Sequence, residues 1–277
     1  MTEGWIDVEH ARFPAGFSGT WHHHPLAQLI YPGRGVMVLH TRRGQWVVPP
    51  LRGCWLPAGE EHRVETSAGF EMLSAYCRGA LLRRLPDRCG IVAVSPLLRE
   101  VILALEAGRP QGRARHRLCL VLADELTLLP APGLFIPPMT SPGLKAIEAA
   151  FADDPGQAGM LAEWAVRLGT TTRSLARAFQ REARMSFTAY RRQVRLRTAL
   201  IRLAEGGSVT AVAHDLGFGS ASNFIRDFRE ATGTTPKRYF RFAAPGSGPA
   251  MRETPGTAPP PSGNHGGRQR PAGGRRS

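Results

Sequence analysis

Ten side chains in the second half of this sequence have the types and spacing to read a nucleic acid. Thr172, Arg173, Ala176, Arg177 and Gln180 form one set; Ala221, Ser222, Asn223, Arg226 and Arg229 form another. Steps of three and four place such positions on one helical face. Arginine fits the acceptor edge of guanine, and Asn or Gln can pair with adenine, so a face of this kind can meet base edges in a major groove.

The elements that must carry these faces repeat. Leu161, Trp164, Ala165, Leu168 and Gly169 match Val209, Val212, Ala213, Leu216 and Gly217 at an offset of 48, and Leu175, Arg177 and Phe179 match Phe224, Arg226 and Phe228 at 49. Each unit reads as a short apolar-striped helix, a turn with glycine, and a second helix, which is the helix-turn-helix pattern. Thr171 and Ser220 stand where a hydroxyl can cap each second helix. One such pattern is weak, because helical hairpins are common in cores; two in register are far more specific. Between them, Ser186–Ala204 has one apolar side (Val194, Leu196, Leu200, Ile201, Leu203) and five arginines, 191, 192, 195, 197 and 202. One or two of these arginines are candidates for phosphate contact, with Arg195 alternatively in an internal ion pair. A helix of that length spans about 28 Å. One DNA turn, the usual spacing of paired recognition helices, is about 34 Å.

Charge points the same way. The chain of 277 residues has a formal charge of +14. Residues 141–243 carry 16 basic and 9 acidic residues, against 15 and 12 over residues 1–140. Lys and Arg neutralising phosphates drive non-specific nucleic-acid affinity. No apolar run is long enough for a membrane-spanning helix. The N-terminus lacks a basic start followed by an apolar stretch, so secretion is not expected and a cytoplasmic location is. Cys54, Cys77, Cys89 and Cys119 show no C-x-x-C spacing and read as reduced residues without a disulfide or zinc role.

The first half reads differently. Gln28–Tyr31, Val36–His40, Trp46–Val48, Cys54–Leu56 and Met72–Tyr76 are short apolar pieces separated by Pro/Gly turns. They predict a small barrel or sandwich. Trp21, Trp46 and Trp55 would line its cavity or fill its core, the latter for two of them. Leu97, Val101, Leu105 and Leu118, Leu122, Leu126 recur at helical spacing over 96–107 and 113–129. These leucines serve either an intramolecular core or a dimer seam. Prolines then interrupt the pattern. The expected organisation is α+β: a β-barrel with a helical hairpin over 1–130, a linker over 131–143, an all-α domain of two helix-turn-helix units joined by a long helix over 144–243, and a disordered Gly/Pro/Arg-rich tail over 244–277.

The second half resembles the DNA-binding domain of the AraC/XylS family of bacterial transcription regulators. The match is carried by V-x-x-V-A-x-x-L-G-F from Val209, S-x-x-N-F-x-R-x-F-R from Ser220, and G-T-T-P-K-R-Y from Gly233. In that last piece Gly233 would supply a positive-φ helix stop and Pro236 the start of the next helix. The first unit departs from the pattern, with Arg184 where a helix-ending glycine is usual and Phe187 where proline is usual. The resemblance implies that Arg173, Ala176, Arg177 and Gln180, and then Ser222, Asn223 and Arg226, face bases. It also implies double-stranded promoter DNA as partner, RNA polymerase for an activator, and frequent homodimers.

Segment 16–62 resembles a cupin barrel, a common sensor in such regulators, with Gly16, His22-x-His24, Gln28, Gly35, Gly53, Pro57-x-Gly59 and His62. In metal-binding cupins this spacing supplies His, His, Glu and His. The resemblance therefore implies a possible divalent metal on His22, His24, Gln28 and His62, or a small-molecule effector in the same cavity. Three imidazoles suit Zn, Fe, Mn or Ni, while Gln28 in place of a carboxylate is a weaker ligand. The competing reading is a cupin metalloenzyme with an appended helical domain; no separate general acid or base stands out.

Overall fold

The computed structural model describes residues 5–49, 51–129, 134–156 and 158–241; the tail expected to be disordered lies outside them. The strands are β1 (Ile6–Phe13), β2 (Ala27–Gly35), β3 (Met37–Thr41), β4 (Gly44–Val48), β5 (Arg52–Leu56), β6 (His62–Glu65), β7 (Phe70–Cys77), β8 (Gly90–Ala93) and β9 (Leu134–Ile136). They form two antiparallel sheets, ordered β1-β7-β2-β5-β8 and β6-β3-β4-β9. Alternation along each strand decides which side a residue faces. Ile30, Cys54 and Leu56 from the first sheet meet Met37, Leu39, Trp46, Val48 and Val64 from the second, so the two sheets enclose one apolar interior.

The outer face of the first sheet is covered by α1 (Pro96–Glu106) and α2 (Gly112–Glu125). Ser95 caps α1 by accepting from the Leu98 amide, with Pro96 at the first helical position. Val101, Leu105, Leu122 and Leu126 pack there against Leu29, Tyr31 and Leu73. These positions serve an intramolecular core. Leu97 departs from the expected stripe: it is 52% exposed.

The outer face of the second sheet is covered by the helical half. Its helices are α3 (Pro142–Asp153), α4 (Leu161–Arg167), α5 (Thr172–Glu182), α6 (Phe187–Ala204), α7 (Val209–Asp215), α8 (Ala221–Thr232) and α9 (Pro236–Arg241). One apolar cluster groups Ile136 with α3, α4, α5 and the start of α6. Another joins Val36, Val47 and Leu134 of the sheet domain to Leu196, Leu200, Leu203, Phe224 and Phe228. The stretch read as a linker over 131–143 therefore contributes a strand: Leu134–Ile136 pairs with Gln45–Val47. Leu134 and Ile136 point outward to the helices while Phe135 packs on Trp46. Prolines on both sides had masked a strand three residues long.

Candidate DNA interface and sensor site

The two helix pairs are built alike. In the first, Gly169 (φ 59°) turns the chain after α4, and Thr171 Oγ1 accepts from the Ser174 amide at 3.1 Å to start α5. In the second, Gly217 (φ 67°) and Gly219 (φ 75°) turn it after α7, and Ser220 Oγ accepts from the Asn223 amide at 3.2 Å to start α8. Left-handed backbone favours glycine at these turns. Leu175 and Phe179 anchor α5, and Phe224 and Phe228 anchor α8, all buried. The opposite edge of α5 exposes Thr172, Arg173, Ala176, Arg177 and Gln180. On α8, Ser222, Asn223, Arg226 and Arg229 are exposed and Ala221 is half-buried. Arg226 is 65% exposed and lies 3.6 Å from Asp227.

The arginines of α6 are engaged within the protein. Arg195 is buried and donates to the carbonyls of Pro155 (3.0 Å), Gly156 (2.8 Å) and Gly217 (2.9 Å). It ties the turn of the second unit to the loop ahead of α4, and the charge of Asp154 favours its protonated form. A Cβ at Gly217 would meet the Arg195 guanidinium at 2.9 Å, so glycine there serves both the turn and the clamp. Burial pulls the Arg195 pKa down to about 10, with Arg191 adding to the shift. Arg192 pairs with Asp227 and Glu230 of α8, and Arg202 lies 3.5 Å from Asp215 of α7. Arg191 contacts the Met160 sulfur. Arg197 crosses to the sheet domain and sits 3.7 Å from Glu65. Arg192 and Arg202, among the arginines expected to supply one or two phosphate contacts, keep side chains 37% and 42% exposed alongside these pairings.

In the sheet domain, His22, His24 and His62 come together, each offering a ring nitrogen within 4.8 Å of the others. Two of them are backbone partners: the His22 amide donates to the His62 carbonyl at 3.0 Å, and the reverse bond is 2.8 Å. Two rings are also fixed from behind. His22 Nδ1 lies 2.9 Å from the Thr20 carbonyl and His62 Nδ1 2.9 Å from the Glu60 carbonyl. A proton held on Nδ1 in this way leaves the Nε2 lone pair free, the arrangement usual behind metal-bound histidines. Burial pulls the His62 pKa down to about 4 against the opposing Glu60 carbonyl, and burial with His22 and His23 lowers that of His24. Gln28 faces the same interior. Its amide nitrogen donates to Ser74 Oγ (3.0 Å) and Tyr76 OH (3.3 Å), and the Tyr76 ring meets His24 at 5.3 Å. Gln28 Oε1 is buried without a hydrogen-bond partner. The donor set fits a borderline divalent cation.

Trp46 and Trp55 are core residues, whereas Trp21 is 40% exposed beneath the Arg42 guanidinium at 4.4 Å. Two contacts across the domains escaped the reading of the sequence. Glu65 meets Arg197, and Arg52 donates to the Thr232 carbonyl at the end of α8 (3.5 Å). Both depend on tertiary placement and leave no local signal. Among the described residues no helix is long and apolar enough to cross a membrane.

Two capped helix pairs on one rod, docked on a double-sheet domain with a polar cluster inside, define a DNA-binding regulator with a sensor. Residues 164–241 match the helix-turn-helix domain model, and residues 5–126 match the AraC-like ligand binding domain. The chain is 34% identical over 79% of its length to the HTH-type transcriptional regulator NimR of Escherichia coli K12, of which the match covers 81%. It is 32% identical to the regulator RipA of Corynebacterium glutamicum over 37% of this chain and 31% of that protein. A solved structure of ToxT from Vibrio cholerae aligns over 86% of this chain and 98% of its own, with 11% identity and a TM-score of 0.36. The chain belongs to the AraC family: it is a DNA-binding transcription regulator with an N-terminal ligand-binding domain. These relatives are regulators, which sets aside the metalloenzyme alternative.

Proposed function

We propose that α5 and α8 enter successive major grooves of double-stranded promoter DNA. In this reading Thr172, Arg173, Ala176, Arg177 and Gln180 face one site, and Ala221, Ser222, Asn223, Arg226 and Arg229 the next. The observation that carries it is the exposed polar edge on each capped helix, opposite buried Leu175 and Phe179 or Phe224 and Phe228. The 18 residues of α6 give a rod of about 27 Å, close to one DNA turn of about 34 Å. A footprint of the full chain on the region upstream of its own gene and on neighbouring promoters tests this. Two protected stretches about one turn apart, weakening with salt, are expected; protection without sequence preference overturns it.

The effector site in this reading is the histidine cluster, with His22, His24 and His62 holding a divalent cation and Gln28 supplying the orphan oxygen on the same interior face. Such an ion would fix the ends of β6 and of the segment before β2 as a Lewis-acid cross-link. The anchored Nδ1 atoms of His22 and His62 support it. Titration of the full chain with Zn(II) should give one ion per chain, lost in His62→Ala; equal binding by the variant overturns it. A cytoplasmic location, homodimers and, for an activator, contact with RNA polymerase complete the reading, and sedimentation of the full chain tests the dimer.

A further inference from the structure

The strand that offers His62 to the interior also offers Glu65 to the DNA-reading half. β6 is an edge strand four residues long, paired on one side with β3. On its other side it makes two isolated bridges, His22 with His62 and Ser18 with Glu65. Alternation turns His62 and Val64 inward and Arg63 and Glu65 outward. The two ends of this ribbon are thus a histidine pair and a carboxylate, about 10 Å apart along the strand.

At the outer end, Glu65 Oε1 lies 2.9 Å from His40 Nε2 and 3.7 Å from the Arg197 guanidinium; Oε2 accepts from Arg63 at 3.0 Å. Arg197 is the dependent partner. Its Nε is buried with no hydrogen-bond partner, and Glu65 is the carboxylate across the seam from it. A half-buried cation paired with one carboxylate across a seam responds to that carboxylate's position. There is room for such movement: a cavity of about 250 Å³ opens beside Glu65, lined by Ser18, Val36, Val38, Ser67, Ile201 and Ala204 from both halves. Arg197 lies on the rod that joins the two reading heads.

We propose that β6 is a relay: occupation of the histidine cluster is carried along this strand to Glu65, and through Arg197 to α6. The proposal rests on the metal reading above and adds its route to the DNA-binding half. A ligand at one site shifts another only through an element whose arrangement both bias, and β6 with its Glu65–Arg197 contact is that element.

The test uses the full chain and Zn(II) as probe. Zn(II) stoichiometry is measured by titration, and hydrogen exchange is followed in peptides covering 187–204, with and without the ion. In the native sequence, saturation should change exchange in the α6 peptides at least threefold. In Glu65→Gln, Zn(II) binding should persist within twofold while the α6 change disappears. Arg197→Met removes the same contact from the other half and should behave alike, which guards against a folding defect in one variant. Arg202→Met, whose partner Asp215 lies on α7, should keep the response. Failure of Zn(II) to bind overturns the metal reading and the relay together. Binding with no change in α6, or an equal change in both seam variants, overturns the relay alone.

Discussion

The two helix-turn-helix units differ most in what lies behind them. The second unit is tied to other parts of the molecule: Arg192 of α6 grips Asp227 and Glu230, Arg195 holds the Gly217 carbonyl, and Arg52 of the sheet domain reaches the end of α8. The first unit packs on α3 through Ile147 and Phe151, and its exposed arginines 173 and 177 have no acidic partner among the described residues. The same supersecondary pattern thus yields one head held by ion pairs and hydrogen bonds from the rod and the sensor, and one packed through apolar contacts on α3, the start of α6 and Ile136 of β9.

The largest test of this contrast removes the clamp between the units. Arg195→Met leaves three backbone carbonyls without their charged donor, and should cost about 3 kcal/mol of stability, read from urea unfolding of the full chain. Arg195→Lys should recover little, because a single ammonium cannot match a guanidinium fork across three carbonyls. A loss below about 0.5 kcal/mol in both variants would show that the turn holds itself.

Base reading gives the next effect. Arg177→Ala and Arg226→Ala should each weaken discrimination by about 1–3 kcal/mol per lost base contact, measured by competition between operator and scrambled DNA. Arg177 should cost more, because Arg226 must first leave Asp227, 3.6 Å away. Uniform weakening over all sequences would assign either side chain to phosphate instead.

Much of this contrast is absent from the sequence. The heads themselves were legible because their determinants are local: caps at Thr171 and Ser220, glycine turns, and aromatic anchors repeating at a fixed offset. The α+β architecture followed from turn spacing in one half and helical periodicity in the other. β9 was not legible, since three residues between prolines carry no period. β1, β6 and β8 lie outside the short apolar pieces that the Pro/Gly turns mark off. The histidine cluster was anticipated by resemblance and then assembled by the pairing of His22 with His62. The braces on the second head were invisible, because a surface-type arginine such as Arg197 becomes a seam residue only once the sheet domain is placed against α6.

A smaller effect concerns how each unit ends. α8 stops at Gly233 with φ 82°, where glycine is unstrained, whereas the first unit passes through Arg184 at φ 55°. A non-glycine side chain in left-handed backbone costs about 1–2 kcal/mol. A Cβ-free residue there also has more freedom to lose on folding. Arg184→Gly should therefore raise stability by a net of about 0.5–1 kcal/mol, seen as a higher unfolding midpoint in urea at unchanged slope. A midpoint that falls instead would mean that the guanidinium makes a contact worth more than the strain.

The smallest effect separates the units by pH. Glu182, at the end of α5, accepts from the Thr140 amide (3.0 Å) and hydroxyl (2.8 Å) and from the Ser141 amide (3.1 Å), satisfying donors ahead of α3. Burial pushes its carboxyl up, but the bonds from Ser141 and Thr140 outweigh this and hold it at about 2, below its ordinary 4.5. The sign follows from linkage: a carboxyl whose folded pKa is depressed contributes stability that is full above about 4.5 and lost as pH falls toward 2. Near the surface, solvent screening limits it to a few tenths of a kcal/mol. Glu182→Gln should therefore unfold slightly more easily at pH 7 and converge with the native sequence near pH 2. No cap of this kind is found at the end of α8 among the described residues, so Glu230→Gln should not reproduce the profile through a cap. Identical pH profiles for Glu182→Gln and the native chain would remove this brace from the first unit and narrow the difference between the heads.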